Sequence, residues 1–531
     1  MSTGVSSRMA PSPIRPSPAR PWYGPFFRPW IPWAIVGLGI LLRTVAYLHD
    51  PSLWLDEALL AHNLIRRDFA DLTGALDHAQ VAPLLFLWAE RCAVLLAGPG
   101  EMTLRFLPFL AGCATLPLAL WVGRRCLSPG ELRIALLLLA ISPPLVSYAV
   151  QVKPYAVDVV FALLILGVTL RLAEDPGRDR ALLLLGALAA LAPWASFPAA
   201  FVMTAALAVL FVLPGRPGPG RRRVRLGAIL LLCLASGAAF ALSRYDWSDN
   251  EGLRGAWQRY AGFAPFPPRS GADLHWYVRA AVRAIGMPGG LPVRSVGVLL
   301  AALGITVLAV SRRWILLALL GLPIVFALAA SAIALYPFVG RLILFLAPAL
   351  IFFVAIGLAW LWRETSRLLH ARRSPPRAGR YWSGVLLLAV SLTATALTLG
   401  VGCARALLRI QEPIGREEIR ELVATLRRDA RPDDIVYVYY GAAAAFDYYA
   451  PQPSWRVHYG VGARRQPERY AEDVGRLIGE PRVWVLLAHV HERAGVSEAD
   501  LIRRDLDRAG RCLAEHQRPG GMLLLYDLST P

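Results

Sequence analysis

The chain has 531 residues, of which 56% are apolar and only 18% charged, and its mean hydropathy is +0.47. A soluble domain carries about 25% charged residues, so an ordinary soluble enzyme is excluded, as is a disordered or collagen-like chain. The net charge of +19 sits in short Arg clusters between apolar stretches, a pattern of membrane topology rather than of a nucleic-acid face. Six cysteines are scattered without CxxC or metal spacing, which argues against cysteine chemistry.

Residues 1–30 are rich in Pro, Ser and Arg and are expected to form a disordered tail. Residues 31–48 read as the first membrane helix, with Arg8, Arg15, Arg20 and Arg28 keeping the N-terminus in the cytoplasm. Further apolar runs lie at 104–123, 131–147, 156–172, 181–197, 199–213, 226–243, 293–310, 314–335, 342–361 and 382–402. A spanning helix needs about 20 apolar residues, so about eleven spans are expected. Residues 81–97 are ambiguous. If they do not cross, Arg124–Arg125, Arg171 to Arg180, Arg216 to Arg225, Arg312–Arg313 and Arg363 to Arg380 share the side of the basic N-terminus. Glu90 and Arg91 would each cost about 2.5–3.5 kcal/mol at a helix centre, so 81–97 is placed at the outer interface or only partway in. The C-terminus is then extracytoplasmic. The first 30 residues form a tail, 31–402 a transmembrane domain with outer loops 49–102 and 244–292, and 403–531 an extracytoplasmic domain.

The first outer loop carries adjacent carboxylates, Asp56 and Glu57. Ala58, Ala61, Ile65 and Phe69 follow at helical spacing, which predicts a helix opening at Glu57 and lying on the membrane surface. Asp56 is either its N-cap or a general base, and a helix N-terminus favours the ionised form that both roles need. Asp77, His78 and Gln80 cluster before Pro83, as substrate contacts or as a solvated turn. In the next outer turn Lys153 is the only lysine of the chain; a compact ammonium suits a phosphate and also suits a snorkelling anchor. Tyr155 follows it. Asp158 lies inside the next span, where an acid is expected to be paired, with Lys153 or Arg43 as partners. Tyr336 and Arg341 flank the turn before a strongly apolar helix, where Arg341 meets lipid phosphate specifically or as a generic anchor. The loop 244–292 is aromatic-rich, with Trp247, Trp257, Tyr260, Phe263, Phe266, Trp276 and Tyr277. Such residues favour the interface and also stack on sugars.

After Val401 long apolar runs vanish. Ile414–Asp429 reads as an amphipathic helix opened by Pro413, followed by a strand at 435–440, helices at 442–450 and 467–479, a strand at 483–487, a helix at 497–509 and a strand at 522–526. This is a small α/β layer, best read as a recognition or stability domain. His489 and His491 have no acidic or cysteine partner at metal spacing, and no metal site is assigned.

Taken together, "SLWLDEA", "LDHAQVAPLLFLW", "RFLPFLAGCATLPLAL", "VKPYAVDV" and "YPFVGRLILFLAP" resemble the GT-C membrane glycosyltransferases, in the family-39-like branch of protein O-mannosyltransferases and aminoarabinose transferases. The resemblance covers roughly 31–410, and "DDIVYVYYGAAAAFDYY" is similar to a segment of bacterial members. It implies a polytopic helical membrane enzyme of the inner membrane that moves a sugar from a polyprenyl-phosphate donor to a hydroxyl of a glycan, lipid or protein acceptor on the outer face, with inversion. By motif position it makes Asp56 the general base with Glu57 beside it. It matches Lys153 and Arg341 to basic positions near the lipid phosphate. With Tyr155 beside them these are expected as donor-phosphate contacts, and Asp77, His78, Gln80 and Tyr336 are expected as substrate contacts. It implies no fixed cofactor. A divalent cation stays open, because the turn at 148–155 lacks the second acidic pair of oligosaccharyltransferases. A transporter of a lipid-linked sugar and a noncatalytic envelope protein are the alternatives, although the polar groups gather at one face and no repeat is visible.

Overall fold

The computed structural model describes residues 28–529 except 176–177, 214–218, 244–254, 256, 370–377, 412–416, 464–465, 467 and 494. The tail 1–27 and Trp247 lie outside the described residues. The chain forms two compact units. One comprises residues up to Tyr47 with 81–89 and 105–412; the other comprises 48–80, 90–104 and 413–531.

The first unit is helical. Seven helices among the described residues are long and apolar enough to cross a membrane, and an eighth is formed if the bent pair Pro129–Ile141 and Pro143–Val150 is one span. The three other expected spans are shorter helices, Asp179–Ala195, Ala199–Val212 and Arg294–Val310. The expected eleven therefore become eight of spanning length, because hydropathy marks apolar runs while loop and cap residues decide where each helix stops. The bend of 50° follows from Pro143–Pro144, which supply no amide N–H, and from extended backbone at Ser142. Close approach of backbones holds the bundle. A Cβ on Gly304 would stand 1.9 Å from the Phe353 carbonyl oxygen, and one on Gly357 would stand 2.1 Å from that of Leu300. The helices Arg294–Val310 and Ala347–Leu369 therefore cross on glycine, as membrane helices commonly do.

Two of the buried charged residues of this unit, Glu131 and Arg43, find partners nearby. Glu131 is fully buried and sits 3.2 Å from Arg363 and 3.7 Å from Arg313, while one of its oxygens accepts the Ser128 amide. Arg43 is fully buried, and its guanidinium donates to the carbonyls of Gly39, Leu139 and Ala140. Asp158 makes no ion pair among the described residues, and its neighbour is the Ser196 hydroxyl. The expected pairing with Arg43 or Lys153 is thus not formed; the two terminal nitrogens of Arg43 donate to carbonyls instead.

The second unit joins a five-stranded mixed sheet to helices from the first loop. Strand order is β2-β1-β3-β7-β6, with β1 Ile435–Val438, β2 Arg456–Tyr459, β3 Val483–Ala488, β6 Arg511–Arg518 and β7 Gly521–Asp527. The short strands β4 Glu492–Arg493 and β5 Val496–Ser497 form a separate hairpin. β2, β1 and β3 run parallel, whereas β3–β7 and β7–β6 are antiparallel. Every residue of β3 is buried, so it reads as a continuous apolar run rather than an alternation. The edge strands β2 and β6 carry Arg, His, Glu and Gln, which hide their strand character in the sequence. Carboxylates brace the sheet. Asp434 accepts from Trp484 at 2.8 Å and Arg482 at 3.0 Å; Asp473 accepts from Tyr437 at 3.1 Å and the Val461 amide at 3.0 Å, and stands 3.0 Å from His458.

Candidate functional site

The acidic residues of the first loop belong to the second unit. Their helix is Leu55–Arg66, with Trp54 at the N-cap. It opens two residues earlier than the spacing predicts, so Asp56 lies inside the first turn and is not the cap. Both carboxylates sit where the unsatisfied amides of a helix N-terminus favour negative charge. The helix does not lie on a surface: Glu57, Ala58, Leu60, Ala61 and Leu64 are buried, and it packs on the helix Ala443–Tyr449. Phe69 falls beyond its end and is exposed.

The sequence offers no signal for what surrounds this N-terminus. Glu417 accepts the Leu55 amide at 3.1 Å, and Glu418 accepts the Ser52 hydroxyl at 2.8 Å. Tyr449 donates to Glu101 at 2.7 Å while accepting the Leu53 amide at 2.7 Å. Arg420 bridges Asp50 at 2.9 Å and Glu101 at 3.0 Å. Because Glu417 and Glu418 serve these partners, the following helix starts only at Ile419, five residues after the predicted start, and 412–416 lie outside the described residues. At the other end Arg91 donates to the carbonyls of Leu64 and Ile65, both at 3.0 Å, which satisfies last-turn acceptors. The helix bearing Arg91, Leu84–Ala97, has 14 residues, fewer than a full crossing needs. Its Glu90 is fully buried, with no hydrogen-bond partner for either oxygen among the described residues. Burial pushes that carboxyl well above the usual range, which favours the neutral acid.

Asp77, His78 and Gln80 form a tight turn after the helix Leu55–Arg66. The Asp77 carboxylate pairs with Arg67 at 2.7 Å, and its amide donates to Asn63 at 2.8 Å. His78 and Ala79 both have positive φ, 58° and 55°, a conformation that side chains disfavour. The Gln80 side chain reaches back to the His78 carbonyl at 3.5 Å. His62 on the helix is buried and stands 2.8 Å from the Ala444 carbonyl oxygen. Burial holds its pKa below the usual value, against that hydrogen bond, and the nearby Arg66 charge adds to the lowering.

The basic residues lie in the first unit. The bend at Ser142 leads into the turn Tyr148–Val150, and Pro154 then caps the helix Tyr155–Glu174. Lys153 is buried there, its amide donating to the Gln151 carbonyl at 2.7 Å. Tyr155 stands edge-on to Tyr148, with centroids 5.3 Å apart, and the Arg341 guanidinium lies 5.8 Å from its ring centroid. Arg341 belongs to the 3-10 turn Gly340–Leu346, which packs on the helix Tyr155–Glu174. Tyr336 donates to the Leu342 carbonyl at 2.6 Å and meets Phe201 edge-on at 5.2 Å. Burial pushes the Tyr336 hydroxyl well above the usual range, with Asp158 and Tyr155 nearby adding to it. The structure thus brings Tyr155, Tyr336 and Arg341 into one neighbourhood, with Lys153 two residues away in the chain. The aromatic loop steadies it: Trp276 donates to the Ala261 carbonyl at 2.8 Å, Tyr277 to that of Pro265 at 2.7 Å, and the Phe338 amide to that of Gly262 at 2.7 Å. Among the described residues, no group of three or more His, Cys, Asp or Glu side chains is placed to hold a metal ion.

The family model described as dolichyl-phosphate-mannose-protein mannosyltransferase matches residues 81–253. No curated protein matches the chain by sequence. ArnT from Cupriavidus metallidurans in the apo state is similar in structure, at 14% identity and a TM-score of 0.52, over 93% of this chain and 97% of that one. The same protein bound to undecaprenyl phosphate matches at 13% identity and a TM-score of 0.53, with the same coverage. The oligosaccharyltransferase of Archaeoglobus fulgidus in the apo form matches at 13% identity and a TM-score of 0.48, over 88% of this chain and 70% of that one.

Proposed function

We propose that the chain is a GT-C, family-39-like membrane glycosyltransferase, a reading supported by its fold and by the family match at 81–253, and that it moves a sugar from a polyprenyl-phosphate donor to an acceptor hydroxyl on the outer face of the inner membrane. The observation that carries the reading is the placement of Asp56 and Glu57 in the first turn of a helix whose first amide is held by Glu417 and whose last-turn carbonyls of Leu64 and Ile65 are held by Arg91. An ionised, held carboxylate is what a general base requires.

The chemistry follows from charge. The acceptor hydroxyl oxygen attacks the anomeric carbon as the bond from that carbon to the phosphate oxygen breaks. The hydroxyl proton passes to Asp56, and polyprenyl phosphate leaves with the bond pair. Attack opposite the phosphate inverts the centre. Phosphate is already a good leaving group, so fixed cations suffice to stabilise it; Lys153 and Arg341 supply them, and Tyr155 braces the guanidinium. Asp77, His78, Gln80 and Tyr336 are proposed to contact substrate. Undecaprenyl phosphate bound to the solved ArnT is a molecule of the proposed leaving-group class.

Membranes containing the protein are incubated with a panel of radiolabelled polyprenyl-phosphate sugars. Transfer by the wild type and its loss in Asp56→Asn are expected; transfer at the wild-type rate in Asp56→Asn removes the base. The reading also requires Asp56, Lys153 and Arg341 to converge on one outward cavity. Cysteines at 56 and 341 that react only from opposite sides of the membrane would overturn it.

A further inference from the structure

We infer that Glu417 is a positioning residue for Asp56, held in place by His489. One oxygen of its carboxylate accepts the Leu55 amide at 3.1 Å. The other stands 2.6 Å from Nδ1 of His489. Leu55 is the first residue of the helix and Asp56 the second, so the bond fixes the backbone one peptide before the base. Glu417 is only 6% exposed, which keeps water from replacing it. The His489 ring also lies beside Trp54, the N-cap of the same helix, with centroids 6.3 Å apart.

Three features mark this contact as more than an ordinary cap. The carboxylate arrives from a residue more than 360 positions away, whereas helix caps are normally local. Trp54 carries no side-chain acceptor for the amides it precedes, and it makes no side-chain cap. His489 itself is held at positive φ, 52°, a conformation that only tertiary structure sustains in a non-glycine residue. The C-terminal part of the chain thus sets the direction of the first helical turn. A displaced base loses rate even when folding is intact.

The consequence for rate rests on the proposed role of Asp56; the positioning itself does not. Hydrogen–deuterium exchange of the full-length protein in nanodiscs separates the two. In Glu417→Ala the amides of residues 55–57 are expected to exchange about tenfold faster, the scale of one lost hydrogen bond. Glu417→Gln should stay within about threefold of the wild type, since its carbonyl can still accept from Leu55 while its amide faces His489. Asp434→Ala, which removes the Arg482 and Trp484 bonds, should lower the melting temperature without selective exchange at 55–57. Where donor turnover is measurable with undecaprenyl-phosphate sugars, Glu417→Ala lowers kcat about tenfold at unchanged donor KM, and Gln restores it. Exchange at 55–57 in Glu417→Ala that equals the wild type, or that merely follows Asp434→Ala, overturns the inference. If Glu417→Ala does not fold, His489→Phe decides: about threefold faster exchange at 55–57 supports the pairing, and unchanged exchange refutes it. Selective exchange in a protein whose Asp56→Asn variant still transfers sugar would leave the positioning intact and remove the base.

Discussion

The two units solve the same problem, keeping charge in a place with little water, by different means. In the helical unit Arg43 turns to backbone carbonyls, Glu131 gathers two arginines, and helices approach one another on glycine. In the other unit carboxylates hold backbone amides and aromatic donors: Glu417 at Leu55, Asp434 at Trp484, Asp473 at Tyr437 and Val461. The first method makes a rigid body that tolerates little change in volume. The second fixes the direction of individual side chains. It is fitting that the proposed base lies in the unit built by the second method and the proposed phosphate contacts in the unit built by the first.

The largest effect expected is on chemistry. Asp56→Asn should reduce transfer about 10²- to 10⁴-fold with an unchanged melting temperature, read by radiolabel transfer and thermal unfolding; a fall in both would make Asp56 structural. Next is Glu131→Ala, which leaves the buried Arg313 without its carboxylate and should destabilise the helical unit by about 3–5 kcal/mol, seen as lost monodispersity or a lower melting temperature in detergent. Gly357→Ala should cost about 1–3 kcal/mol by pressing a methyl group onto the Leu300 carbonyl, whereas Gly37→Ala, which meets open space, should not. Similar melting temperatures for the two would break the contrast. The smallest effect concerns pH. His62 has a lowered pKa when folded, so near and below pH ~6.5 the unfolded chain binds the proton more readily. Its contribution is therefore complete above that pH and declines as pH falls through it toward the folded value. Exchange in 55–66 should quicken at pH 5.5 relative to pH 7.5 after correction for intrinsic rates, and His62→Gln should flatten that change.

Much of the fold was legible in the residues. The apolar runs appear as helices, the ambiguous run at 81–97 forms a helix of only 14 residues, and the helices and three strands of the C-terminal layer fall near their predicted places. β2 and β6 were not legible, because an edge strand with polar residues on both faces shows neither alternation nor an apolar run. The candidate residues stood out by type, but the framework around them did not. Asp56–Glu57, Lys153 and Arg341 stand out by charge in an apolar context. Glu417, Glu418, Arg420 and Tyr449 do not, because a charged or aromatic residue in a polar segment looks like solvated surface.

What the sequence determined by itself is the class of molecule: a membrane-spanning helical chain with an α/β end, in which few charges occur in apolar runs and each must be accounted for. That follows from periodicity and from the cost of placing charge in hydrocarbon, both of which are local. Tertiary structure decided that the first loop packs with the last 119 residues, that the helix of Asp56 is buried rather than lying on a surface, and that Arg43 serves carbonyls instead of Asp158. Those outcomes depend on which groups meet across hundreds of residues, and hydrogen-bond satisfaction in a dry interior is settled only when all the partners are in place.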